Sequence, residues 1–114
     1  MSVSLKGFNE KVITLQAVDG LKAGDAVSLS GNLEVSPASE GTDIFGFAIS
    51  VTDGYAAVQV SGFITVPCEG IEDAYVGYRA IQGADEGKIA LAESGRKVFV
   101  VSVDKAAGKI GIIL

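Results

Sequence analysis

The chain has 114 residues, 48% hydrophobic and 20% charged, with a net charge of −5. That is one domain's worth of sequence, and its positive mean hydropathy of +0.41 leaves more apolar surface than a small monomer readily hides, so self-association is expected. The acidic balance, without any cluster of Lys and Arg, excludes a phosphate-tracking surface for nucleic acid, and no apolar run approaches the roughly 18 residues of a membrane helix.

Residues 1–10 form an N-terminal arm with no counterpart later in the chain. The arm lacks the basic leader and apolar core of a signal peptide. Its apolar residues Val3, Leu5 and Phe8 are spaced too irregularly for a helix face, and since a purely solvated tail has little reason to hold them they are the arm's candidate partner-binding residues. Residues 11–114 are expected to form a single β domain. Residues 11–18 alternate as a strand, and Asp19-Gly20 turns it. Two short β runs, 26–30 and 33–36, flank Gly31-Asn32, a dipeptide suited to a tight hairpin, and Pro37 ends the pair. Residues 38–42 are a loop. Residues 44–51 form an apolar strand in which Gly46 marks a bulge or a close backbone approach. Asp53-Gly54 is a second hairpin signal, and the long β run after it is expected to bend at Gly62 and to stop at Pro67. Farther on, runs 78–81 and 88–91 flank a loop over residues 82–87. Residues 97–103 are the strongest strand by composition, and residues 110–114 end the chain within a strand that something must cover.

The runs repeat. Ile13-Thr14-Leu15 recurs as Ile64-Thr65-Val66, Gly20-Leu21 as Gly70-Ile71, Gly24 as Gly77, and Phe47-Ala48-Ile49-Ser50-Val51 as Phe99-Val100-Val101-Ser102-Val103. The spacing drifts only between apolar runs, as it does when insertions fall in loops. Residues 13–60 and 64–114 therefore read as two copies related by an approximate internal twofold. Each is too small to fold alone, so a single shared core is expected. With no stretch of capped helical periodicity, the fold class is all-β, a small barrel or two-sheet sandwich built from two pseudo-symmetric β repeats.

Chemistry-bearing residues are sparse. Histidine is absent, which removes the commonest general base and transition-metal ligand, and Cys68 is the only cysteine, so no intrachain disulfide forms. Next to Pro67 at a strand end, Cys68 reads as a small apolar filler. Asp85-Glu86 reads as an exposed turn, since calcium needs several oxygen ligands at fixed spacing. No catalytic, cofactor-binding or metal residues are expected, and the chain does not read as an enzyme. A biotinyl or lipoyl carrier, another small duplicated β fold, would present a Lys on its central hairpin, where this chain has Ser61-Gly62-Phe63. Most Phe residues lie in apolar strands and read as core. Tyr75 and Tyr78, at the start of the second copy's hairpin, stand apart as a candidate oligomer surface.

The segments Ala23-Gly24-Asp25-Ala26-Val27, Phe45-Gly46-Phe47-Ala48, Val60-Ser61-Gly62-Phe63, Gly87-Lys88-Ile89 and residues 110–114, in this order, resemble the small capsid decoration proteins of tailed bacteriophages, the cement proteins and head-fibre bases. The resemblance covers residues 12–114 and rests on turn-and-strand patterns. It implies a structural virion protein, made in the host cytoplasm, that binds the major capsid protein on the outside of the head and stabilises the shell, often as a homotrimer. The trimer number comes from the resemblance alone. The competing expectation is a carbohydrate- or host-surface-binding module of a phage tail or head fibre, which needs clustered exposed aromatics and is weakened by the absence of Trp.

Overall fold

The computed structural model describes residues 11–114; the arm with Val3, Leu5 and Phe8 lies outside the described residues. Ten strands follow in order: β1 (Lys11–Ala17), β2 (Ala26–Gly31), β3 (Glu34–Pro37), β4 (Gly46–Thr52), β5 (Tyr55–Ser61), β6 (Phe63–Glu69), β7 (Gly77–Gly83), β8 (Ile89–Ala92), β9 (Arg96–Asp104) and β10 (Lys109–Ile113). The only helical pieces among the described residues are single 3-10 turns at Ile71–Asp73 and Asp85–Gly87. The all-β expectation holds.

The strands close into two barrels, β1-β3-β2-β4-β5 and β10-β6-β8-β7-β9. Closure leaves no unpaired sheet edge. The two barrels have one topology. In each, the first strand pairs in parallel with the third and antiparallel with the fifth, while the second lies between the third and the fourth. Even the irregularities match. The β4–β5 ladder skips Ile49 and the β9–β10 ladder skips Val101, residues that the sequence repeat had already aligned. A bulge at one place in both copies is hard to obtain from composition alone, so the halves correspond strand for strand.

Alternation along the strands decides what each barrel buries. Leu15, Val27, Val35, Ala48, Ala56 and Val58 fill barrel one. Val66, Ile81, Ile89, Val98, Val100, Ile110 and Ile112 fill barrel two, and their cluster also takes in Ala26, Ala38, Ile44 and Phe47 of the first repeat. The interior is thus two clusters, one of them spanning both repeats, in place of the single core expected. The inward side chains of barrel one pack on one another, while barrel two's cluster continues into the junction through outward residues of the first repeat. Each fully buried Val, Ile or Phe supplies about 1.5 to 3 kcal/mol of transfer free energy.

Three local expectations need correction. The first hairpin turns at Asn32-Leu33, one residue beyond Gly31-Asn32, because the β2–β3 register slips between Leu29 and Gly31; Leu33 then takes the left-handed conformation at φ 56°. Pro67 does not end its strand. Cys68 N–H donates to Gly108 O at 3.0 Å, so the Pro67 nitrogen points away from β10, and on the other side the ladder with β8 begins only at Cys68. The run 82–87 is shorter as a loop than expected, since β7 continues to Gly83 and Asp85–Gly87 forms a 3-10 turn.

Other turn residues behave as their chemistry requires. Asp53 and Gly54 both take positive φ, 53° and 79°, the mirror-image turn that matches strand twist. Gly62 takes φ 100° between β5 and β6, where the chain leaves one barrel for the next. Gln59, buried at 6% exposure, staples that bend by donating from Nε2 to Ser61 O at 3.1 Å and Phe63 O at 3.0 Å. At Gly46 a Cβ would lie 2.5 Å from Gln59 O, so the glycine serves a close backbone approach.

Candidate functional site

Outward positions of the barrels carry the surface available for function. In β9, Val98 and Val100 point inward at 2% exposure each, so Phe99 between them must point out, and it is 53% exposed. Its ladder partner on β7 is Tyr78, 60% exposed, and the two rings meet at 4.9 Å between centroids with a 48° tilt. Tilted pairs of this kind contribute about 0.5 to 1.5 kcal/mol beyond area burial. Tyr75 and Val76, just before β7, are also exposed, and so is the bulged residue Val101. The result is an apolar, aromatic face on the outer wall of barrel two.

Tyr75 does a second job. The Arg79 guanidinium carbon lies 3.8 Å from the centre of the Tyr75 ring. Arg79 shares the inward face of β7 with Ile81, and its Nη1 is buried without a hydrogen-bond partner among the described residues. The ring face offsets part of that desolvation, about 0.5 to 2 kcal/mol for a cation over an aromatic. Tyr75 and Tyr78 are therefore both exposed, as the sequence suggested, but they engage different partners.

The described residues hold few groups that carry chemistry. No group of His, Cys, Asp and Glu there could hold a metal ion. Cys68 is buried in the barrel-two cluster, and burial pushes its thiol pKa up, further raised by Glu69 and partly opposed by a backbone hydrogen bond from Leu91 and the charge of Arg79. A thiol held protonated in this way is a weak nucleophile. No described helix is long and apolar enough to cross a membrane.

The barrels are locked to each other by backbone. Gly83 N–H donates to Thr42 O at 2.8 Å, Gly41 N–H donates to Gly83 O at 3.0 Å, and Gly87 N–H donates to Ala38 O at 3.1 Å. Arg96, at the start of β9, reaches across with Nη1 to Phe45 O at 2.7 Å and Nη2 to Val60 O at 2.9 Å. These bonds set how one barrel sits on the other and so where the aromatic face points.

Sequence reasoning singled out Tyr75 and Tyr78, which the structure exposes, and did not single out Phe99, Val76, Arg79 or Arg96. The signal for Phe99 was present: in Val98-Phe99-Val100-Val101 strict alternation puts Phe99 opposite its neighbours. No such signal marks Arg96, whose partners lie in the other repeat. No protein-family model matches the chain, and no curated protein matches it either.

Proposed function

We propose that the chain is a structural protein of a phage head, bound to the major capsid protein on the outer surface and stabilising the shell as a homo-oligomer. The observation that carries this reading is the exposed face of Tyr75, Val76, Tyr78, Phe99 and Val101 on a closed barrel, an association surface with no metal-holding cluster among the described residues. The resemblance of residues 12–114 to decoration proteins supplies the partner and the trimer. The arm, with Val3, Leu5 and Phe8, attaches to the capsid, adding an extended segment to a partner's sheet edge. Purified expanded heads incubated with the full chain should retain it through sedimentation, and deletion of residues 2–8 should weaken retention while the fold is unchanged. Equal retention of the truncated chain would remove the arm from the attachment, and no retention of either form would overturn the capsid reading.

The tilted Tyr78–Phe99 pair supports one other reading, a carbohydrate- or host-surface-binding module, because exposed rings stack on sugar faces. Retention on host cells or glycans, with none on heads, would favour it.

A further inference from the structure

The duplication allows one barrel to be used as a template for the other. Phe47 and Phe99 occupy the same ladder position, two residues before the bulged Ile49 and Val101, and both point outward, since Ala48 and Val100 beside them fill the barrel interiors. Across the ladder from Phe47 stands Ala26, and across from Phe99 stands Tyr78. Their surroundings differ completely. Phe47 and Ala26 are 1% and 0% exposed, joined into the apolar cluster of barrel two, whereas Phe99 and Tyr78 are 53% and 60% exposed. The face that barrel one uses to dock within the chain is left uncovered on barrel two.

The surface that receives barrel one is the β7–β8 hairpin end of barrel two. Gly83 and Gly87 there bond to Thr42, Gly41 and Ala38, and a Cβ on Gly87 would run into Asp25, next to Ala26. The matching end of barrel one is the β2–β3 hairpin. It too is uncovered, and it is apolar: Leu29 is 56% exposed and Leu33 73% exposed, beside an open groove of about 510 Å³ that Leu29, Ile44 and Phe45 help to line. Leu33 holds a left-handed backbone conformation at φ 56°, a strained state for a leucine that a glycine at the turn would relieve. A strained, solvent-exposed leucine at a hairpin tip is explained if the side chain is a contact.

We propose that copies of this chain associate head to tail, the Tyr78–Phe99 face of barrel two in one copy docking on the Leu29–Leu33 hairpin end of barrel one in the next, repeating between chains the junction already made within each. The contact joins two different patches, so it is heterologous and builds a closed ring or an open filament rather than a twofold dimer. One difference between the repeats bears on how it is made. The first repeat docks with the long loop 38–45 alongside Phe47, but the corresponding segment of the second repeat is only residues 93–95. The rings, with tyrosine standing where the first repeat has alanine, must therefore carry the contact between copies. This deepens the self-association part of the proposed function and does not rest on capsid attachment.

The test uses the full chain with Cys68→Ser as background, so that introduced thiols are the only ones. Asn32→Cys beside Leu33 and Val101→Cys beside Phe99 are made as separate proteins, and a short bismaleimide is added to each alone and to their mixture. Cross-linking in the mixture but in neither protein alone is the expected result. Light scattering of the unmodified chain should give a mass of several copies, and Phe99→Ser and Leu33→Ser should each raise the dissociation constant by at least about tenfold, as loss of a central contact residue does. Cross-linking of Val101→Cys with itself, with an oligomeric mass, would overturn the head-to-tail contact and leave self-association standing. A monomeric mass at about 100 μM, far above the dissociation constant of a specific oligomer, would overturn both.

Discussion

Replacing Arg96 with alanine tests whether the barrels are held together by the bonds that cross between them. Arg96 donates to Phe45 O at 2.7 Å and to Val60 O at 2.9 Å, and lies 3.4 Å from Ile44 O. Burial pushes its pKa down, but an arginine stays charged throughout the accessible pH range. Hydrogen bonds to a charged donor contribute about 1.5 to 3 kcal/mol each, and the low end applies to a side chain that is only half buried. Two good bonds then give a loss of about 3 kcal/mol, against a total of about 5 to 15 for a domain of ordinary stability. Arg96→Lys cannot reach both carbonyl oxygens with one ammonium and should recover about half. Urea unfolding of the full chain reads the effect as a midpoint shift of about 2 M, for an m value near 1.5 kcal/mol/M. Because the interior is two clusters, loosening the junction should also broaden the transition in Arg96→Ala as the barrels uncouple. A loss under about 1 kcal/mol, or a lysine variant as stable as the parent, would refute the reasoning.

Three further outcomes follow from named contacts. Gly83→Val should destabilise the chain by at least about 3 kcal/mol in the same urea assay, because a Cβ there overlaps Ser39 O and Thr42 Oγ1 and lies 3.1 Å from the Ala38 Cβ, across the junction. Leu33→Gly should raise folding stability by up to about 1 kcal/mol while lowering the oligomer mass, since it relieves the left-handed leucine and deletes the proposed contact; thermal unfolding with light scattering reads both. Cys68, whose thiol pKa is raised chiefly by burial, should resist thiol reagents until the chain unfolds. The folded chain then holds a proton that the unfolded chain releases near pH 8.5, so this contribution is complete below that pH and is lost as pH rises through the folded pKa; Cys68→Ala should flatten the alkaline decline.

Much of the fold was legible because it depends on local chemistry. Asp53-Gly54 turns where its left-handed propensity demands, Gly62 bends the chain between barrels, and the repeat pairs Phe47 with Phe99 and Ile49 with Val101, as the ladders do. What escaped depends on contacts distant in sequence. A proline in a strand is acceptable only if its nitrogen faces away from a partner, and Pro67 meets that condition through Cys68 and Gly108. Whether an outward phenylalanine is core or surface depends on what lies against the barrel wall, which alternation within one strand does not reveal. The same limit hid Arg96, whose acceptors belong to the other repeat.

The two repeats agree in topology, bulge and inward apolar positions, so their differences stand out against a common frame. A duplicated barrel inherits its docking face and its receiving end together, and a chain of two barrels joined once leaves one of each unused. Had the unused pair been of no consequence, solubility would favour charged residues there, as exposed apolar patches promote indiscriminate association. Instead the unused face carries tyrosine opposite phenylalanine, and the unused end carries two leucines, one of them in a strained backbone. Meanwhile the used face has the long loop 38–45 alongside it, and the unused one has only residues 93–95. Each change opens or enlarges an apolar contact, and all of them act on surfaces that the chain cannot bring together within itself.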